Sequence, residues 1–112
     1  MQEILNIDDS AHQKHFLIFE ESEIILELRY LSPIQQWFIS AEYKNRSIKN
    51  AKLSCGSIHM RAKNFPFDFF VVDNYGYDVD PFRLTDFSEG RCTLYLLDAS
   101  EMQTIRGTSV EI

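Results

Sequence analysis

Apolar and polar residues alternate in two runs within the segment 23–43, and the runs are joined by Ser32-Pro33. The apolar positions are Ile24, Leu26, Leu28 and Tyr30 in the first run, and Trp37, Ile39, Ala41 and Tyr43 in the second. Successive side chains of a strand point to opposite faces, so this pattern predicts two half-buried antiparallel strands. We expect Trp37, the only tryptophan, to anchor the core.

Runs rich in β-branched and aromatic residues, bounded by turn formers, predict further strands. In the first half, strands are predicted at His15–Glu20, Ile24–Tyr30 and Ile34–Tyr43, forming a meander with a turn at Lys44-Asn45. In the second half they are predicted at Ser47–Cys55, Ser57–Arg61, Phe67–Asp73 and Arg91–Leu97, with a brief extended piece at Phe82–Leu84. Phe67–Asp73 is apolar on both faces, which is typical of a central strand.

The chain is predicted to be a single domain flanked by two short terminal segments. Residues 1–12 are a lead-in, in which Ile4, Leu5 and Ile7 can add an edge strand, and residues 13–99 form the β domain. Residues 100–112 are a C-terminal tail. Asp98–Glu101 can start one helical turn, capped by Ser100, and Thr104–Ile112 is suited to an edge strand or a docking peptide. No long segment has helical periodicity. The predicted fold is all-β or nearly so, a small antiparallel β-sandwich or barrel.

Charge and hydropathy exclude some classes of function. The 112 residues include 11 Lys and Arg against 17 Asp and Glu, a formal net charge of −6, which disfavours a nucleic-acid binder. The basic stretch Lys44–Lys52 lies at a predicted turn and is interpreted as a solvated rim. No signal peptide is visible and the apolar clusters are too short to span a bilayer, so we expect synthesis in the cytoplasm and no membrane partner.

The cysteines and histidines do not form a known catalytic or metal motif. Cys55 and Cys92 are expected to be free core thiols, although an oxidising compartment would allow them to pair. His12 and His15 are three residues apart and His59 is distant, without the further ligands that a zinc site needs. We therefore expect no catalytic nucleophile, no metal and no cofactor.

Aspartates between the last two predicted strands allow two weaker interpretations. Asp73, Asp78 and Asp80 supply carboxylates for a cation, but the alternate positions of a calcium loop are occupied by Tyr75, Tyr77 and Val79. An enzyme using Asp73 and Asp80 as a carboxylate pair would require the two groups to lie close together with separated pKa values. Turn formation and solvation of the loop are favoured over both.

The same region is rich in aromatic residues, which are Tyr75, Tyr77, Phe82 and Phe87. Aromatic side chains on exposed loops are enriched at protein interfaces, so these four are candidate partner-binding residues. The alternative is that they cap the core.

The order of these features resembles the phage baseplate plug family, known from a cyanophage contractile tail. The resemblance covers roughly residues 14–98 and is carried by Leu28-Arg29-Tyr30, Trp37-Phe38-Ile39, Cys55-Gly56-Ser57, Pro66 before Phe69-Phe70-Val71-Val72-Asp73, Asp80-Pro81-Phe82 and Thr93-Leu94-Tyr95-Leu96. It is a pattern of strands and turns and contains no chemically diagnostic motif. The chain departs from the family at Lys44-Asn45-Arg46, where members often carry a glycine-containing hairpin, and around Asp78.

The resemblance implies a structural, non-enzymatic component of a tailed phage or prophage, made in the host bacterial cytoplasm and located in the tail baseplate of the virion. Its partners would be hub and spike proteins at the distal end of the tail tube, and symmetry around the tail axis would favour a homo-oligomer, a trimer or ring. The alternative is a small adaptor or ligand-binding β-barrel, with the segment Tyr75–Phe82 over a pocket.

Overall fold

The computed structural model describes residues 1–60 and 65–110, which form two antiparallel sheets and one helix. The elements are β1 Gln2–Glu3, β2 His12–Phe19, β3 Ser22–Leu31, β4 Gln36–Tyr43, β5 Arg46–Lys52, β6 Asp68–Asp73, β7 Cys92–Leu97 and α1 Ala99–Val110. One sheet has the strand order β2-β3-β4-β5 and the other has the order β1-β7-β6. The predicted all-β sandwich is confirmed.

The core lies between the two sheets and follows from the alternation in β3 and β4. Leu28 pairs with Ile39, and Tyr30 pairs with Trp37, so their side chains share the inner face. Trp37 is fully buried. The second sheet contributes the buried side chains of Phe69, Val71, Leu94 and Leu96. Burial of each large apolar side chain stabilises the fold by about 2 kcal/mol, so the period-two pattern fixes which face of each strand turns inward.

The predicted meander of the first half is confirmed, with small shifts at its ends. β2 and β3 are joined at Glu20 and Glu21, which both have positive φ angles of 48° and 69°. Two consecutive left-handed residues match the right-handed twist of a hairpin, and here they are not glycines. The next hairpin turn lies at Lys44-Asn45 as predicted, and Lys44 takes the left-handed conformation in it, with φ 53°.

The chain between β5 and β6 crosses from one sheet to the other. β5 ends at Lys52, and the amide of Leu53 donates to the carbonyl of Trp37 at 2.9 Å. The amide of Gly56 then donates to the carbonyl of Val71 at 3.1 Å, beside an isolated parallel bridge between Cys55 and Val71. This crossover covers the outer edge of β6.

The strand predicted at Ser57–Arg61 is wrong over Ser57–Met60, and Arg61 lies outside the described residues. The amides of His59 and Met60 donate to the buried carboxylate of Asp68 at 2.8 and 2.9 Å. They are therefore satisfied by a side chain and not by a neighbouring strand.

The expectation of a central strand at Phe67–Asp73 is also wrong. β6 is an edge strand of its sheet, and Phe70 and Val72 on its outer face are only half-buried. The central strand is β7, which pairs with both β1 and β6. Phe82–Leu84 forms no strand.

β1 and α1 pack against the second sheet. β1 pairs Gln2 with Leu96, slightly earlier in the chain than predicted, and Ile4 is buried. The tail forms α1 up to Val110, so the predicted edge strand there is wrong, and residues 111–112 lie outside the described part. Asp98 caps this helix, not Ser100: its carboxylate accepts the amide of Glu101 at 2.9 Å, and the carboxylate of Glu101 accepts the amide of Asp98 at 3.0 Å.

Candidate functional site

Residues 74–91 connect β6 to β7 without forming a strand or helix, and we call them the 74–91 loop. Connections of this length without secondary structure are uncommon in compact domains and are usually functional. The loop is tied to the rest of the domain by a network of charged side chains with two buried carboxylates. We consider it the best candidate for a functional site among the described residues.

Arg91 is the centre of this network. Its Nε and Nη2 donate to the two carboxylate oxygens of Asp86 at 2.9 and 2.8 Å, a two-point arrangement that fixes orientation. Its Nη1 lies 3.3 Å from Oδ2 of Asp73 at the end of β6. Both carboxylates are buried, so the two ion pairs are shielded from water.

Arg91 also holds the backbone of the loop. Its Nη1 donates to the carbonyl of Val79 at 3.2 Å, and its Nη2 donates to the carbonyl of Asp80 at 2.9 Å. The guanidinium carbon lies 5.1 Å from the centre of the Phe82 ring. One side chain thus connects the beginning, middle and end of the loop.

The two buried carboxylates accept backbone amides as well. Asp73 accepts from Tyr75 at 2.9 Å and from Val79 at 3.1 Å, and these bonds hold the pKa of Asp73 below its ordinary value. Asp86 accepts from Phe82 at 2.7 Å and from Arg83 at 2.8 Å.

Asp86 and Arg91 are held ionised by each other. Burial by itself raises the pKa of Asp86, but the hydrogen bonds from Arg91 and from the two amides outweigh it, and the pKa is lowered. The hydrogen bond with Asp86 in turn raises the pKa of Arg91. The charges of the network are therefore those of a stable ion pair at neutral pH.

The inner side of the loop seals one end of the sandwich. The Tyr30 hydroxyl donates to the carbonyl of Phe82 at 2.8 Å, and Nε1 of Trp37 donates to the carbonyl of Arg83 at 3.0 Å. The Phe87 ring meets Trp37 edge-on, with 5.4 Å between ring centres. Phe87, at 8% exposure, thus fills space beneath the loop.

The four candidate partner-binding residues divide between the two sides of the loop. Tyr75 and Tyr77 are 66% and 78% exposed, while Phe82 is half-buried and Phe87 is buried. Phe87 therefore packs into the core, as the alternative interpretation held, whereas the Phe82 ring lies against the guanidinium groups of Arg83 and Arg91. Val79 in the same loop is also exposed, although the sequence did not indicate it as a partner-binding residue. We call the exposed side chains of Tyr75, Tyr77 and Val79 the tyrosine patch.

The aspartates proposed for a cation or an acid–base pair are engaged in other contacts. Asp73 contacts the guanidinium of Arg91, which supplies the positive charge. Asp80 accepts the amide of Cys55 at 2.8 Å and lies 3.4 Å from Nζ of Lys52, whereas Asp78 is exposed. Since the pKa of Asp73 is lowered, its carboxyl is not protonated near neutral pH and does not have the property of a general acid.

The two thiols are poor nucleophiles. Burial, with smaller contributions from Asp80 and Asp73, raises the pKa of Cys55 to about 11. Burial likewise raises the pKa of Cys92 to about 12. Both thiols are protonated at neutral pH, and the thiolate is the reactive form. Cys55 donates a hydrogen bond to the carbonyl of Val79 at 3.1 Å, which is a structural contact with the loop.

The three histidines contact different residues. Nε2 of His12 is 3.2 Å from a carboxylate oxygen of Glu27, and His15 is hydrogen-bonded to the side chain of Gln13 at 2.8 Å. His59 accepts the amide of Ser54 through Nε2, so its Nδ1 donates to the carbonyl of Phe69. Within residues 1–60 and 65–110, no three metal-binding side chains are grouped around one point.

Arg91 and Asp86 of the network, and Asp68, which binds the crossover segment, were not predicted as functional or structural determinants. The sequence does contain a signal for Arg91. It stands directly before the apolar strand β7 and five residues after Asp86, a spacing that allows a local ion pair. No such signal points to Asp68, whose partners follow from the crossover.

Comparisons with known proteins add no family to this description. No protein-family model matches the chain, and no curated protein matches it in a sequence search. Within the described residues, no helix is long and apolar enough to cross a membrane.

Proposed function

We propose that this protein is a structural, protein-binding component of a tailed phage or prophage, a baseplate plug-like protein that packs against hub or spike proteins at the distal end of the tail tube. The observation that carries the protein-binding part is the tyrosine patch on a loop held by buried ion pairs. The phage assignment is carried by the resemblance in the order of strands and turns.

The loop geometry supports recognition of a protein surface. Tyrosine presents a large, rigid contact area that loses little conformational entropy on binding. The loop beneath is already ordered through Arg91, so an interface formed there would not need to order the backbone. A rigid body with exposed aromatic anchors is the physical requirement for a packing component, and such anchors dominate interface energies.

The experiment that tests this proposal is affinity purification of the tagged chain from source cells after prophage induction, with mass spectrometry of the bound proteins. Recovery of tail-tube, hub or spike proteins is the expected result. We expect the double variant Tyr75→Ser/Tyr77→Ser to lose these proteins, because it removes the aromatic anchors without touching Arg91, Asp73 or Asp86.

A matched control is the double variant Leu5→Ser/Ile34→Ser, which removes two exposed apolar side chains far from the loop in sequence. It should recover the same proteins as the wild type. Reproducible recovery of only metabolic or signalling proteins would refute the tail assignment and favour the adaptor. Equal recovery by the tyrosine variant and the wild type would instead refute the tyrosine patch as the binding surface.

A further inference from the structure

We propose that β2 is the interface for a second copy of this chain, and that two β2 strands pair in antiparallel fashion across a two-fold axis. The inference does not depend on the phage assignment or on the tyrosine patch. It rests on the exposed edge of β2, on its apolar side chains and on the order of charges along it.

Strand edges with free backbone groups are aggregation hazards, and proteins normally protect them. Of the four edge strands that the described residues form, three are protected. β1 has two residues, the outer edge of β6 is bridged by Cys55, and β5 carries Arg46, Lys49 and Lys52 together with an irregularity opposite Ile39–Ala41. β2 is the exception: it has eight residues, regular pairing and no proline, and its one lysine, Lys14, precedes the apolar stretch Phe16–Phe19.

The backbone groups of β2 that face outward can be identified from the register. Tyr30 donates its amide to the carbonyl of Ala11, and β2 continues the same antiparallel register with β3. Hydrogen-bonded pairs alternate in such a ladder, so the odd-numbered residues of β2 bond to β3. The N–H and C=O groups of Lys14, Phe16 and Ile18 therefore point to the free edge.

The side chains at these outward positions are unusual for a solvent-facing edge. Phe16 is 62% exposed and Ile18 is 68% exposed. They lie on the outer face of the sheet, where the half-buried Ile25 is the cross-strand neighbour of Phe16. An edge that offers both free backbone groups and two large apolar side chains is suited to addition of another strand.

The order of charges favours a second copy of this chain as that strand. Along the outward positions the sequence reads Lys14, Phe16, Ile18 and then Glu20 at the turn: positive, apolar, apolar, negative. An antiparallel second copy presents the same series in the opposite direction, so each charge meets the opposite charge and each apolar residue meets an apolar one. Antiparallel alignment centred on Leu17 places Lys14 opposite Glu20 of the second copy and Phe16 opposite Ile18. Neither Lys14 nor Glu20 forms an ion pair within the described part of one chain.

This alignment also satisfies the backbone. The backbone groups of Phe16 in one copy and of Ile18 in the other both face the shared edge, so these two residues form a hydrogen-bonded pair. The two-fold axis generates the reciprocal pair, and the two pairs give about four new backbone hydrogen bonds. The four-stranded sheets of the two chains become one continuous sheet. An interface of one strand pair is small, so we expect concentration-dependent dimerisation and not a permanent dimer.

The first test is sedimentation velocity of the full chain over a concentration series. The expected result is a mass that rises with concentration toward twice that of one chain, as for a weak association through a small interface. Ile18→Lys should abolish the rise, because it places a charged side chain opposite the apolar Phe16 at the centre of the proposed interface. The control Ile34→Lys places the same charge on another exposed apolar residue, in the turn between β3 and β4, and should dimerise like the wild type. A chain that stays monomeric throughout the series, or dimerisation unchanged in Ile18→Lys, would overturn the proposal.

Charge exchange distinguishes a second copy from any other occupant. Lys14→Glu alone and Glu20→Lys alone each place like charges opposite one another, and we expect each to weaken dimerisation roughly tenfold. An equimolar mixture of the two variants restores both opposite-charge pairs and should form a heterodimer. Failure of the mixture to associate more tightly than either variant alone would refute the alignment.

The register has its own test. Phe16→Cys and Ile18→Cys chains, mixed under mild oxidation, should form a disulfide between the two introduced cysteines, because paired residues lie within disulfide distance. Mass spectrometry of the linked peptides separates this bond from any bond to Cys55 or Cys92. A disulfide between two Phe16→Cys chains would indicate a different register and refute the pairing described here.

Discussion

Arg91 shows how a single side chain can determine a long connection. It contacts two buried carboxylates and two backbone carbonyls, and each carboxylate in turn accepts two loop amides. Removing one partner from a buried ion pair is costly because the other charge is left buried without compensation. The shape of the 74–91 loop should therefore depend on Asp86 and Asp73 as much as on Arg91.

Asp86→Asn should lower the free energy of unfolding at pH 7 by roughly 3 kcal/mol, because it keeps the shape of the side chain but removes the charge opposite Arg91. Urea unfolding followed by the fluorescence of Trp37 measures this, since Trp37 contacts the loop. The control Asp78→Asn changes an exposed acid in the same loop and should stay within about 0.5 kcal/mol of the wild type. A loss of similar size in both variants would show that the Arg91 network is not the cause.

The same network predicts a pH dependence. The folded-state pKa values of Asp73 and Asp86 lie below the ordinary value of 3.8, so the unfolded chain binds protons more readily than the folded chain. Their stabilisation is fully present above about pH 5 and is lost as the pH falls through the folded-state values. The free energy of unfolding of the wild type should therefore fall below pH 5, and this fall should be shallower in Asp86→Asn. Parallel profiles for the two proteins would contradict this.

At the scale of the elements, the sequence was informative wherever local alternation decides the structure. β2, β3 and β4 were predicted because an inward and an outward set of residues can be read from the chain, as in Ile24, Leu26 and Leu28. The segment Ser57–Met60 was not, because its amides bond to Asp68, and that partner is defined by the crossover between sheets. Of the helix α1, only one turn at Asp98–Glu101 was predicted, with Ser100 as its cap. The cap is Asp98, which exchanges hydrogen bonds with Glu101.

Asp68 is the residue that holds the crossover segment to β6. It is fully buried, and its carboxylate accepts the amides of His59, Met60 and Phe69. Asp68→Ala should destabilise the protein by roughly 3 kcal/mol, because buried donors lose their acceptor. Hydrogen exchange should show faster exchange at the His59 and Met60 amides, while the amides of β3 change only through the lower global stability.

Asp9→Ala is the matched control, since Asp9 is an exposed acid outside the strands. It should leave both the free energy of unfolding and the exchange of His59 and Met60 unchanged. Continued protection of these two amides in Asp68→Ala would mean that something other than the carboxylate orders the crossover segment.

At the scale of the whole molecule, the two faces available for contacts differ in kind. The tyrosine patch lies on an irregular loop whose order comes from charge, and the β2 edge offers backbone groups in regular order. The sequence indicated the aromatic loop, but which aromatics are exposed depends on the packing of Phe87 against Trp37. The edge position of β2 likewise follows from sheet order, which no local pattern encodes.

Because the crossover and the loop both tie the two sheets together, we expect the described part of the chain to unfold as one unit. Trp37 bonds to the loop through Arg83 and to the crossover through Leu53, so its fluorescence reports the junction of all parts. Far-ultraviolet circular dichroism reports the strands of both sheets. The two signals should give the same urea midpoint and the same slope, as for a two-state domain of this size. A fluorescence change at clearly lower urea would show that the loop end opens first, and the loop would then be a separately unfolding unit and not a rigid platform for binding.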